Sequence, residues 1–183
     1  MTAISDRYRK VAQGLTDRVN AVPDDKWAAP SPCEGWVASD VMSHVVDAHH
    51  MFFGFIGHEP SRTKTVADDP AGAWAEVRDA MAAALENPDL AGTEYDGPFG
   101  RSKFETSADQ FVTGDVLVHS WDLARATGGD ETLDPDEAAK VYETYKGFGD
   151  NVRHPQVFGP EVAVPDDASA QDRLIAFTGR DPR

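Results

Sequence analysis

The chain has 183 residues, enough for one domain with a sizeable core and too few for a second domain of ordinary size beside it. Its 17 Lys and Arg stand against 32 Asp and Glu, and the resulting formal charge of −15 repels phosphate backbones and anionic lipid headgroups. Neither nucleic acid nor a membrane is therefore an expected partner. Cys33 is the only cysteine, which excludes an internal disulfide framework and a zinc ribbon and leaves any metal site mainly to histidine and carboxylate ligands. With no long uncharged apolar run, and no charged-then-apolar leader in "MTAISDRYRK", a cytoplasmic protein is expected.

The first element is a helix over "SDRYRKVAQGLTDRVNAV", with Ser5 as its cap and Tyr8, Val11, Ala12, Leu15 and Val19 at helical spacing; it ends before Pro23. After the loop "WAAPSPCEGW", a second helix spans "VASDVMSHVVDAHHMFFGFIG", closed by Gly57 with Pro60 beyond it. A third, alanine-rich helix covers "PAGAWAEVRDAMAAALEN" and stops at Pro88. The stretch "GTEYDGPFGRSKFETSAD" reads as a short hairpin turning at "DGPFG" or as an irregular loop. Helix four runs from about Ser107 to Thr127 and ends at Gly128-Gly129, and helix five follows with Asp134 as cap and Pro135 in its first turn. The tail, "FGPEVAVPDDASAQDRLIAFTGR", predicts an extended segment and a last short helix capped by Ser169. Long helices joined by modest loops point to an all-α, up-and-down four-helix bundle with an extra C-terminal helical segment, one domain over residues 1–183.

Helix four carries the chemistry. With Asp115 set at zero on a helical wheel, His119 falls near roughly 40° and Asp122 near roughly −20°, so the three share a face otherwise lined by Phe111, Val112, Val116 and Leu123. Buried charge at such a place needs compensation. On helix two, His44 lies between Val41, Ala48, Met51 and Phe55, while Asp47 and His50 turn to the polar side. Two imidazoles and one carboxylate, His44 with Asp115 and His119, make an open site suited to zinc, nickel or a similar divalent ion, with Asp122 placed to orient His119. The plainer alternative is an i, i+4 hydrogen bond between Asp115 and His119, with His44 a satisfied core histidine.

"PCEGWVASDVMSHVVDAHHMF", "DVLVHSWDLARATG" and "FGPEVAVPDDASAQDRLIAFTGRDP" together resemble the actinobacterial DinB-like proteins that carry the metal-binding domain of mycothiol-dependent maleylpyruvate isomerase. The resemblance covers nearly the whole chain. It implies a DinB-like four-helix bundle holding a divalent metal on His44, Asp115 and His119, with mycothiol as thiol co-substrate. Two departures accompany it: the isomerase has Glu where this chain has Asp115, and its additional C-terminal domain finds no room in 183 residues. The expected activity is therefore a thiol-dependent transfer or isomerisation on a small electrophile, with maleylpyruvate itself disfavoured. The rival reading is a non-catalytic bundle in which the metal is structural, and that would need a fourth protein ligand such as Asp122 or His49. Pairing into a homodimer is open.

Other residues read as structural. Cys33 beside Glu34 is expected to be inert, Trp36 to pack at the start of helix two, and Trp121 to lie in the core. His49, His50, His58 and His154 are expected to be solvated, His49 least firmly because it faces Met42 and Ile56. "GFGDNV" lacks the third glycine and preceding strand of a dinucleotide site, and no G-x-S-x-G, phosphate loop or H-E-x-x-H occurs.

Overall fold

Apolar residues at helical spacing build the bundle, and the proline, glycine and capping positions bound its elements. The computed structural model describes all residues but Met1, 98, 99 and 154–156, and the side chain of Asp150. Helix α1 spans Ala3–Ala21. Thr2, not Ser5, is its cap: Ser5 N–H donates to Thr2 Oγ1 at 3.2 Å and Thr2 N–H to Ser5 Oγ at 3.0 Å. A reciprocal pair of this kind satisfies two donors that the first turn leaves free, which moves the start of the helix back from Ser5. Helix α2 spans Ala38–Phe55 and α3 spans Pro70–Glu86, the latter capped by Asp69 with proline in its first turn.

After the short helix α4, Pro88–Ala91, strands β1 (Glu94–Gly97) and β2 (Gly100–Lys103) pair antiparallel with Glu94 opposite Lys103. The hairpin reading holds, while Pro98 and Phe99 of its turn lie outside the described residues. The expected helix four is interrupted: helix α5 at Phe104–Ser107 leads into one π-helical turn, Ala108–Val112, before α6 at Thr113–Thr127. Thr113 bonds Ala108 O through its backbone N–H and also through its hydroxyl at 3.0 Å, a five-residue step that inserts one extra residue. The neighbouring carbonyl, Asp109 O, accepts from Arg7 Nη1 at 2.8 Å, and Arg7 is bound on its other sides by the carboxylates of Asp109 and Glu137, both at 2.7 Å. Gly128, with φ of 75°, ends α6 in the left-handed conformation that glycine alone adopts without strain.

Helix α7 (Pro135–Gly147), capped by Asp134, packs against α8 (Ala170–Phe177), capped by Ser169. Helices α1 and α2 each pack against both α3 and α6, so they occupy opposite corners of a four-helix bundle. The core between them is filled by Tyr8, Leu15, Met42, Phe53, Trp74, Met81, Trp121 and Leu123. The protein is all-α apart from the hairpin, a DinB-like bundle.

Candidate metal centre

Where α2 faces α6, three side chains converge. Asp115 Oδ1 lies 3.4 Å from His44 Nε2 and 3.3 Å from His119 Nε2, and the imidazole centroids are 4.7 Å apart at 67°. One ligand atom from each residue lies within 4.8 Å of the other two. The site opens to solvent on one side, since the His44 side chain is 38% exposed, Asp115 29% and His119 only 7%. Met51, expected on the inner face with His44, is exposed.

The distances bear on the two readings of this cluster. A charge-assisted imidazole–carboxylate hydrogen bond spans about 2.7–2.9 Å. Ligands about 2.0–2.1 Å from a tetrahedral ion stand about 3.4 Å from one another. Both contacts to Asp115 Oδ1 fall at the second value. The other carboxylate oxygen, Asp115 Oδ2, is buried and has no hydrogen-bond partner among the described residues. The residues present thus fit a cation: two imidazoles and a carboxylate of the kind that holds zinc, with an orphaned anionic oxygen beside them.

The far side of the His119 ring is arranged differently. Nδ1 donates to Asp122 Oδ2 at 2.9 Å; because a carboxylate only accepts, the hydrogen resides on Nδ1 and Nε2 is the nitrogen free to ligate. Asp122 is fully buried and also receives Arg180, with Nη2 2.8 Å from Oδ2 and Nε 3.0 Å from Oδ1. Cys33 Sγ lies 3.4 Å from Asp122 Oδ2 and 3.3 Å from Arg180 Nη2. Cys33, His119 and Asp122 also cluster closely enough to hold an ion, but the guanidinium already balances that group and disfavours a second cation there.

Electrostatics follow the same division. Burial, the largest influence on Asp115, would raise its pKa, yet His119 and His44 outweigh it and hold the carboxyl far below the usual range. For His119, burial would lower the pKa, but Asp115 and then Asp122 draw it well upward. Asp122 is held down to about 2, burial again being overcome by His119 and Arg180. Two carboxylates against one arginine leave a positive charge wanted at His119 Nε2, a requirement that a proton or a metal ion can meet.

The structure therefore brings together all four residues singled out in the sequence, His44, Asp115, His119 and Asp122, and adds three. Trp36 is half-buried and its ring lies 5.2 Å from the His44 ring and 6.3 Å from that of His119, stacked on the latter at 22°; placed just before α2, it packs against that helix at His44 and also roofs the imidazoles. Cys33 and Arg180 join through Asp122. "PCEGW" and the closing "TGRDP", both already part of the family resemblance, carried the signal for them, while nothing in spacing linked Arg180 to Asp122, 58 residues away. Trp121 lies in the core as expected.

His49 departs from expectation. It is fully buried, its Nδ1 donating to Val45 O at 2.7 Å and its Nε2 accepting from the Tyr8 hydroxyl at 3.0 Å. Burial pushes its pKa down to about 4, so it is a neutral core histidine. His50 is half-buried, with Nε2 lacking a hydrogen-bond partner among the described residues, and His58 packs on Phe53; His154 lies outside the described residues.

Comparison with known proteins places the chain in a family. Two proteins of Mycobacterium tuberculosis, uncharacterized protein MT0763 of strain CDC 1551 and uncharacterized protein Rv0738 of strain H37Rv, are each 30% identical to the chain over 167 residues, 87% of either length. No solved structure is significantly similar. The family described as mycothiol maleylpyruvate isomerase N-terminal domain matches residues 8–124, a stretch that contains His44, Asp115, His119 and Asp122, and the chain belongs to that family.

Proposed function

We propose that His44, Asp115 and His119 hold a divalent ion, zinc or a close relative, and that the protein uses it to join a low-molecular-weight thiol, mycothiol, to a small electrophile by transfer or isomerisation. The observation that carries this reading is the incompleteness of the donor set. Asp122 is turned to the Nδ1 side of His119 and committed to Arg180, and both nitrogens of His49 are bound to Tyr8 and Val45. Neither can serve as the fourth ligand that a structural zinc requires, and a three-ligand set open to solvent is the catalytic pattern.

A divalent ion in such a site supplies Lewis acidity that favours the deprotonated, nucleophilic form of a thiol. The chain's own residues provide the setting. Asp122 orients the His119 ring, Trp36 shields both imidazoles from water on one side, and the half-exposed edge of His44 leaves the approach for a small molecule. In this reading residues 1–183 act as one metal-binding domain. The thiol fits the family, whose name includes mycothiol, and a cytoplasmic setting would keep such a thiol reduced. No described helix is long and apolar enough to cross a membrane.

Elemental analysis of chelator-free protein tests the proposal, with wild type beside His44→Ala and His119→Ala, followed by a thiol-addition assay on the preparation that holds metal. Wild type should contain about one divalent ion per chain and the variants far less. Equal trace metal in all three would end the metal reading, and metal-loaded protein inert toward thiol and electrophile would leave the structural alternative.

A further inference from the structure

The C-terminal segment reaches the centre through one side chain. Gly179 ends α8 with φ of 89°, and a Cβ there would stand 2.9 Å from the Cα of Gly159, so only glycine permits this close turn. The turn carries the Arg180 guanidinium onto Asp122 and Cys33, while its Nη1 donates to Thr178 O at 3.1 Å and fixes the plane of the fork. Cys33 stands three residues before Trp36, the ring that lies over both imidazoles. Further along, Arg125 of α6 donates to the carbonyls of Pro182 and Arg183, each at 3.0 Å. The tail is thereby fastened twice to the helix that carries Asp115 and His119, although it lies outside the stretch that the family match covers.

Asp122 Oδ2 serves two donors, Arg180 at 2.8 Å and His119 at 2.9 Å. A bidentate guanidinium fixes a carboxylate in plane and rotamer as no single donor does. We propose that Arg180 is a positioning residue for the metal centre: by locking Asp122 it sets the ring orientation and the Nδ1–H tautomer of His119, so that divalent-ion affinity depends on docking of the C-terminal segment. The inference rests on the metal reading above. An opposing effect exists, since a guanidinium repels a cation, but here Asp122 lies between them and offsets that charge, so orientation governs the sign.

Co²⁺ titration of the full-length apoprotein decides the matter, for wild type, Arg180→Leu, Arg180→Lys, Asp122→Asn and the Asp122→Asn/Arg180→Leu double variant, at a temperature where melts show each folded. Both Arg180 variants should bind Co²⁺ about tenfold or more weakly, including Lys, which keeps the charge and loses the fork. The double variant should bind no more weakly than Asp122→Asn, because Arg180 acts through Asp122. In the Zn²⁺-loaded proteins, the His119 Nδ1–H should exchange with solvent faster in both Arg180 variants than in wild type. Unchanged or tighter binding by Arg180→Leu, or losses that multiply in the double variant, would overturn the inference. Wild type that takes up no Co²⁺ would overturn the metal reading and this inference with it; wild type that binds while both Arg180 variants match it sinks the inference alone.

Discussion

His49 and His119 are both buried imidazoles on central helices of one bundle, and the protein completes them in opposite ways. His49 has a carbonyl on one nitrogen and a hydroxyl on the other at ordinary hydrogen-bond distances, and burial holds it neutral. His119 has a short bond on Nδ1; its Nε2 shares a carboxylate with His44 at distances too long for good hydrogen bonds, beside an oxygen that has no partner among the described residues. Burial, then, does not mark a functional histidine. In the proposed reading the unfinished set of partners that His119 shares with His44 and Asp115 does, because an unmet buried polar group is costly and persists where something else completes it.

Substitution should separate the two environments. Asp115→Ala and His119→Ala should each lower divalent-ion affinity by about a hundredfold or more, measured by competition with a chromophoric chelator. His49→Ala should leave that affinity within about threefold and instead cost about 3 kcal/mol of stability in urea unfolding, by opening a cavity and stranding the Tyr8 hydroxyl. If His49→Ala loses metal as His119→Ala does, the distinction between the two collapses.

The pH dependence of unfolding sharpens the contrast. His49 has a pKa of about 4 in the folded protein and 6.5 as its ordinary value, so between these values the unfolded chain takes up a proton that the folded chain does not. Its contribution is complete above about pH 6.5 and is lost as the pH falls toward 4, about 3 kcal/mol in all. Urea unfolding of wild type and His49→Gln across this range should show the steeper decline in wild type. A smaller effect is expected for Tyr8→Phe, which leaves His49 Nε2 without its donor and should cost about 1–2 kcal/mol with metal uptake intact. The smallest concerns Asp115→Glu, which restores the residue found in the resembling isomerase. The longer carboxylate projects from the same position, and calorimetry should find affinity within about tenfold of wild type.

The helices were legible because their boundaries rest on local chemistry: Pro135 in a first turn, Asp134 and Ser169 as caps, Gly128 as a left-handed stop. The pairing of His44 with Asp115 and His119 was legible because helical periodicity placed each on an apolar face. Neither kind of signal reaches the rest. His49 was misjudged because its partner Tyr8 comes from another helix, 41 residues away. Arg180 and Cys33 meet Asp122 only through tertiary packing, and an arginine near a chain terminus looks the same in sequence whether it is solvated or, as here, buried against a carboxylate. The π turn was illegible because Ala108–Val112 contains nothing that a regular helix would refuse.

That turn changes how the neighbouring sequence must be counted. One surplus residue shifts the angular phase of everything before it by about 100° relative to a continuous helix. A single-residue deletion within 108–112 would therefore leave Asp115, His119 and Asp122 in mutual register on α6. It would also turn the five-residue step into an ordinary four-residue one, keep α5 and the hairpin close to their present orientation, and disturb the carbonyl that Arg7 grips. Length in this segment is absorbed by the turn, so a relative one residue shorter here, aligned with a single gap, presents the same helix faces on both sides of it.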